Sequence, residues 1–287
     1  MATVDTAKMQ PLGGALAAEI TGVDVGRPLD DEGFGAIEAA FRQSPVLVFR
    51  NQDLGAPVLS GFATRFGRIV PGVIEKYRHP DAPEISYLTN VEADGRVDVF
   101  GVRRASAWHY DGSFAEVPPK CAMLHALEIP AEGGGTMFAD LYAAYADLPA
   151  DLKARAEELE TVNHFGLGPE GRDYYRGLTP ERWAAYAPVR KPLVARHPTT
   201  GRPHLQFCMI HTAGFVGMSH GEGHALLREL LAHATAEENA YYHAWRPGDV
   251  VLWDERATMH RNAGDFPPDQ PRIMLRAMVA ADYGRLP

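Results

Sequence analysis

Apolar and polar positions along the chain alternate with two periods. From Asp31 the residues Phe34, Ile37 and Phe41 fall at i, i+3 and i+7 and predict a helix, and Val58, Phe62 and Phe66 predict a second one over about 57–67. Between them, Val46-Leu47-Val48-Phe49 after Pro45 is a continuous apolar run, the mark of a strand buried on both faces. Further strands are expected at Ile85–Leu88, Cys121–Ile129, Thr136–Phe138, Thr161–Phe165, Tyr241–Trp245, Val250–Asp254 and Arg272–Val279. Leu193–His197 and His204–Cys208 around Pro198-Thr199-Thr200-Gly201 read as a hairpin. Gly133-Gly134-Gly135 is a turn into a strand, Asp140 is placed as a helix cap, and helices near 141–147 and 150–159 follow. Leu226, Leu227, Leu230 and Leu231 predict a helix over about 222–234, with the two glycines of His220-Gly221-Glu222-Gly223-His224 as its frayed, solvated start. Residues 11–30 read as short strands and turns, 68–107 as less regular, and 166–190 as an irregular stretch that is either a lid over a pocket or a long loop. Strands dominate, helices flank them, and the expectation is one domain over 1–287.

Composition narrows the partners. With 28 Lys and Arg against 37 Asp and Glu the net charge is −9, and no basic run is visible, which argues against nucleic acid or an anionic membrane surface. No window approaches a membrane span, and the first thirty residues do not read as a signal peptide. Cys121 and Cys208 are too few for a disulfide framework and fit a reducing cytoplasm. The chain is thus expected to meet a small molecule, and the sequence leaves a homo-oligomer open.

The densest chemistry lies in Trp108-His109-Tyr110-Asp111-Gly112-Ser113-Phe114. In an extended segment residues i and i+2 share a face, so the His109 imidazole and the Asp111 carboxylate can reach one ion. His260 is the best candidate for a third ligand. Two His and one carboxylate form the facial set of non-heme Fe(II) oxygenases, which leaves positions open for a co-substrate and O2. Arg272 and Arg276, four apart on the last strand, share a face as well. Two inward guanidiniums need anionic partners, either protein carboxylates or a ligand, and the Thr136 hydroxyl can complete the recognition of a ligand carboxylate. Tyr77, Arg78, Arg103 and Arg104 could face a pocket or belong to a solvated loop. His125 reads as a core or edge histidine. His220 and His224 at i, i+4 are a rival metal pair, and no Gly-x-Ser-x-Gly elbow supports a hydrolase.

Taken together, His109-x-Asp111, 24 residues to Thr136, 123 more to His260 and 11 more to Arg272 resemble the TauD/TfdA family of Fe(II)- and 2-oxoglutarate-dependent dioxygenases. The resemblance extends from Gly14-Ala15 and Leu47–Gln52 to Trp253-Asp254 and Thr258–Arg261, so it spans nearly the whole chain. It implies a mainly β double-stranded β-helix (jelly roll, cupin-like) with helices outside. It also implies iron held by His109, Asp111 and His260, and 2-oxoglutarate held through its distal carboxylate by Arg272 with Thr136. Arg276 would contact the co-substrate's other carboxylate or an anionic substrate group. Such an enzyme couples the decarboxylation of 2-oxoglutarate to succinate and CO2 to hydroxylation of a small, anionic molecule, and some products then fall apart. Tyr110, bulkier than the small residue often found between the two ligands, would narrow or hydrogen-bond the pocket, and with Tyr77, Arg104 and Arg276 it is a substrate candidate. Glu255 stands where many relatives have Asn. The competing readings are the same cofactor chemistry ending in desaturation or oxidative decarboxylation, and a non-catalytic jelly-roll protein holding a structural metal.

Overall fold

The computed structural model describes residues 8–281 other than 73, 93, 104 and 172–185. Arg104 and most of the candidate lid 166–190 therefore lie outside the described residues. Two open sheets form the centre. The larger has eight strands in the order Lys8–Gly13, Ala17–Thr21, Val46–Phe49, Val250–Asp254, Cys121–Glu128, Ile273–Val279, Ala82–Thr89 and Arg78–His79. All its pairings are antiparallel except that of Ala17–Thr21 with Val46–Phe49. The smaller has Thr136–Asp140 between Ala240–His243 and Thr258–Asn262.

The apolar runs read from the sequence are strands buried on both faces, and alternation sorts their side chains. Leu47, Phe49, Met123, Leu252 and Leu275 point outward into a core with Phe34, Ile37, Leu59 and Phe62, carried by the helices Asp31–Gln43 and Ala56–Thr64. Val46, Val48, Leu124, Val251 and Trp253 point the other way and meet Phe138 of the smaller sheet. This is the two-layer sandwich that a jelly roll requires. Behind the smaller sheet, Ala139 and Met259 pack on Leu141, Leu226, Leu227 and Leu230, the last three from the helix His220–Ala234.

The expected elements are present, with shifted ends. Asp140 caps the helix Leu141–Ala146, accepting from the N–H groups of Tyr142 and Ala143. The helix expected over 222–234 starts at His220 instead, because Ser219 and Glu222 close a capping box that outweighs the two glycines. His224 Nε2 meets the Ala213 carbonyl at 3.2 Å, so this histidine already has a protein partner, and among the described residues no third His, Cys, Asp or Glu joins His220 and His224 in a possible metal cluster. His125 is buried, with Nε2 3.2 Å from the Gln52 carbonyl, in keeping with a core histidine.

Leu252 is fully buried between the larger sheet and its helices, so Leu252→Ala leaves a cavity there. Urea unfolding should show a loss of about 2–5 kcal/mol. A loss well under 1 kcal/mol would mean that this face is not the packed core described.

A candidate metal centre and its anion pocket

Two backbone hydrogen bonds assemble the centre. His109 N donates to His260 O (3.1 Å) and His260 N donates to His109 O (2.7 Å), an isolated antiparallel bridge between distant parts of the chain. It sets the two imidazoles side by side, ring centroids 4.3 Å apart. Asp111, two residues on, turns its carboxylate the same way, with Oδ1 3.8 Å from His109 Nε2. One donor atom from each of His109, Asp111 and His260 lies within 4.8 Å of the other two.

The donor chemistry suits a divalent ion. His109 Nδ1 lies 2.8 Å from the Ala107 carbonyl, which can only accept, so Nδ1 carries the proton and Nε2 offers its lone pair. Burial pushes both imidazoles below their ordinary pKa, and so favours the neutral form that a metal needs. Among the described residues, His260 Nδ1 is buried without a hydrogen-bond partner.

The centre opens on a cavity lined by Leu88, Leu124, Trp253, Thr136, Arg272 and Arg276 among others. Gly133-Gly134-Gly135 shapes its end. A Cβ at Gly133, where φ is +71°, would overlap the Asp265 carbonyl, and one at Gly135 would strike the Tyr242 ring. With no side chains there the turn packs tightly, and the Gly134 carbonyl accepts from Arg272 Nε at 2.7 Å. Thr136 Oγ1 accepts from Arg272 Nη2 (3.2 Å) and Trp245 Nε1 (2.9 Å), so its own proton is free to be donated. Arg272 is 4 % exposed and has no ion pair among the described residues, and burial lowers its pKa to about 10. A buried guanidinium without a carboxylate is costly unless an anion arrives. Arg276 Nη1 instead pairs with Asp111 Oδ2 at 3.2 Å.

Two substrate candidates lie away from the cavity lining. Tyr110 is 2 % exposed and packs into the core behind the smaller sheet, because the alternation that aligns His109 with Asp111 turns the residue between them away. Tyr77 is buried with its hydroxyl donating to Asp98, and it does not line the cavity. Three supports had no local signal in the sequence. Asn90 accepts from Arg272 N at 2.7 Å while donating to the Pro268 and Gln270 carbonyls, Trp245 braces Thr136, and Ala107 orients His109. Phe114 meets Phe165, Tyr186 and His211 edge-on, with centroids 4.9–5.0 Å apart.

The sequence model of the family described as "Taurine catabolism dioxygenase TauD, TfdA family" matches residues 8–278. The chain belongs to the TauD/TfdA family. Among its relatives, the alpha-ketoglutarate-dependent 2,4-dichlorophenoxyacetate dioxygenase of Cupriavidus pinatubonensis is 35% identical over 260 residues, 88% of this chain and 90% of that protein. The (S)-phenoxypropionate/alpha-ketoglutarate-dioxygenase of Sphingobium herbicidovorans is 32% identical over 95% of this chain and 94% of its own length. The crystal structure of AAD-2 in complex with Mn(II) and N-oxalylglycine superposes with a TM-score of 0.85 at 31% identity, covering 98% of this chain and 99% of the other. As a TauD/TfdA member the chain is an Fe(II)- and 2-oxoglutarate-dependent dioxygenase with a jelly-roll fold. No helix among the described residues is long and apolar enough to cross a membrane.

Burial also pushes His204 and His211 down, to about 4 and about 3, from 6.5. Each stays neutral in the folded chain while the unfolded chain takes up a proton near pH 6.5. Stability is therefore complete above that pH and falls as pH drops toward 4, by about 1 kcal/mol per unit and per imidazole. Thermal unfolding between about pH 7.5 and 5 should show the midpoint falling with pH, and a flat profile would contradict the buried neutral state.

Proposed function

We propose that His109, Asp111 and His260 hold the iron, that Arg272 with Thr136 binds the distal carboxylate of 2-oxoglutarate, and that the substrate is a small organic anion. The observation that carries this reading is the pairing of one convergent two-histidine, one-carboxylate set with a buried guanidinium that has no anion of its own. Bound iron with 2-oxoglutarate and O2 supplies the oxidising chemistry, which releases succinate and CO2 and hydroxylates the substrate.

The chain's own groups bind, orient and exclude water. Gly134 O and Thr136 Oγ1 each take a hydrogen from Arg272, which fixes the plane of the guanidinium so that its remaining donors meet a carboxylate in one orientation. Thr136 adds its hydroxyl hydrogen to the same carboxylate. Arg276 keeps Asp111 Oδ2 occupied and leaves Oδ1, the oxygen nearer His109 Nε2, to the ion. Leu88, Leu124 and Trp253 give the cavity a dry wall, in which these charge-assisted bonds are stronger than in water. An anionic substrate is supported by the two cavity arginines in a chain of net charge −9, and by relatives named for phenoxyacetate and phenoxypropionate. We read 1–287 as one domain. The two buried free cysteines, Cys121 and Cys208, support a reducing compartment such as the cytoplasm.

The test needs no substrate. Without oxygen, Fe(II) followed by 2-oxoglutarate should produce a visible metal-to-ligand charge-transfer band in the wild type and none in His109→Ala. A band of equal strength in both would remove His109 from the ligand set. Arg272→Ala should weaken 2-oxoglutarate binding about tenfold to a hundredfold, the worth of hydrogen bonds to a charged group, with little effect on iron binding. Equal loss of both would contradict the assigned role. Succinate release in a panel of small organic anions then identifies the substrate class, and release with neutral compounds alone would overturn the anionic reading.

A further inference from the structure

Glu255 is fully buried one residue beyond the strand Val250–Asp254, and it touches two of the three candidate ligands. Its Oε2 accepts from the backbone N–H of Asp111 at 2.8 Å. The same oxygen lies 3.9 Å from His260 Nδ1, the buried nitrogen for which the described residues offer no hydrogen-bond partner. Its Oε1 accepts from the Trp253 indole N–H at 2.8 Å, which locks the carboxyl plane. An imidazole that binds a metal through Nε2 carries its proton on Nδ1, and that proton needs an acceptor. Glu255 Oε2 is about 1 Å beyond hydrogen-bond length, so a small tilt of the ring makes the bond.

We propose that Glu255 is a positioning residue of the metal centre, one buried carboxyl that holds His260 through Nδ1–H and Asp111 through its backbone N–H. The proposal rests on His260 being an iron ligand, as read above. A carboxyl has lone pairs for all three donors, so the Trp253, Asp111 and His260 hydrogens can be met together. Its effect is to fix the tautomer and tilt of His260 and the backbone from which Asp111 projects. The two ligands thereby share one rigid support.

The experiment is an anaerobic Co(II) titration of the full chain, followed by the visible Co(II) spectrum, for wild type, Glu255→Gln and His260→Ala. Gln keeps the size of Glu255 but sets an NH2 against one of the three donors. Glu255→Gln is expected to bind Co(II) about ten- to a hundredfold more weakly and to shift the Co(II) absorption bands. A contribution to stability alone would lower the unfolding midpoint and leave the spectrum and affinity of the folded variant unchanged. That result overturns the proposal. If His260→Ala binds Co(II) as tightly as the wild type, the ligand assignment has failed and the proposal falls with it. If His260→Ala loses the metal while Glu255→Gln keeps wild-type affinity and spectrum, only the role of Glu255 has failed.

Should Glu255→Gln not fold, the wild type decides the matter. In the Zn(II)-loaded protein labelled with 15N-histidine, His260 should show a metal-bound Nε2 and an Nδ1–H that exchanges slowly with solvent. An Nδ1–H that exchanges as fast as that of an exposed imidazole, or an Nδ1 that itself binds the metal, overturns the proposal.

Discussion

The centre depends on the register of one strand. Thr258–Asn262 pairs with Thr136–Asp140 so that His260 sits opposite Phe138 and Asn262 opposite Thr136. On its other side, His260 exchanges two backbone hydrogen bonds with His109. A slip of one residue would turn His260 toward the helices behind the sheet and bring Met259 into the cavity. The packing forbids this, since Met259 and Ala139 are fully buried on the helix side while Phe138 and Trp253 fill the space between the sheets. The hydrophobic pattern that folds the smaller sheet thus also places a proposed metal ligand. Thr136, at the start of the central strand, comes into position by the same registration.

Against that frame the charges are unevenly satisfied. Arg276 is paired with Asp111 and Arg50 with Asp249, as buried or half-buried cations usually are. Among the described residues, the Arg272 guanidinium is held only by a carbonyl and a hydroxyl. Neutral acceptors direct a guanidinium without cancelling its charge, so the site keeps a cation aimed into a partly apolar cavity in a protein that is acidic overall. For the co-substrate role proposed for Arg272, the binding energy would in this way be stored in the folded chain. The cost of desolvating Arg272 has already been met by the packing of the Gly133–Gly135 turn and Asn90 around it.

Much of this was legible in the residues. His109-x-Asp111 could be read because i, i+2 geometry is local, and Arg272 with Arg276 because strand alternation is local. The apolar runs at 46–49 and 250–254 marked the strands of the larger sheet for the same reason. Tyr110 shows the limit: identity alone suggested a pocket wall, although the alternation that joined its neighbours already turned it inward. Tyr77 could not be read at all, since its partner Asp98 lies across an irregular segment. Asn90 and Trp245 were equally hidden, because a residue that holds a loop or a hydroxyl far along the chain leaves no periodic trace. The helix at His220 began early because Ser219 and Glu222 form a cap that two glycines do not undo.

Asp254 and Glu255 show how neighbouring carboxyls come to differ. Burial opposes ionisation of both. Asp254 nevertheless stays well below the usual carboxylate range, since His197 bonds it at 3.0 Å and Arg256 reaches both its oxygens. Glu255 takes its hydrogen bonds from an indole and a backbone N–H and among the described residues has no ion pair other than its approach to His260, so burial and the nearby Asp111 push its carboxyl well above the ordinary range. A buried acid without a fixed cation is unfavourable in an ordinary core. It becomes favourable where a cation arrives later, and the place where it would arrive is the gap between His109, Asp111 and His260.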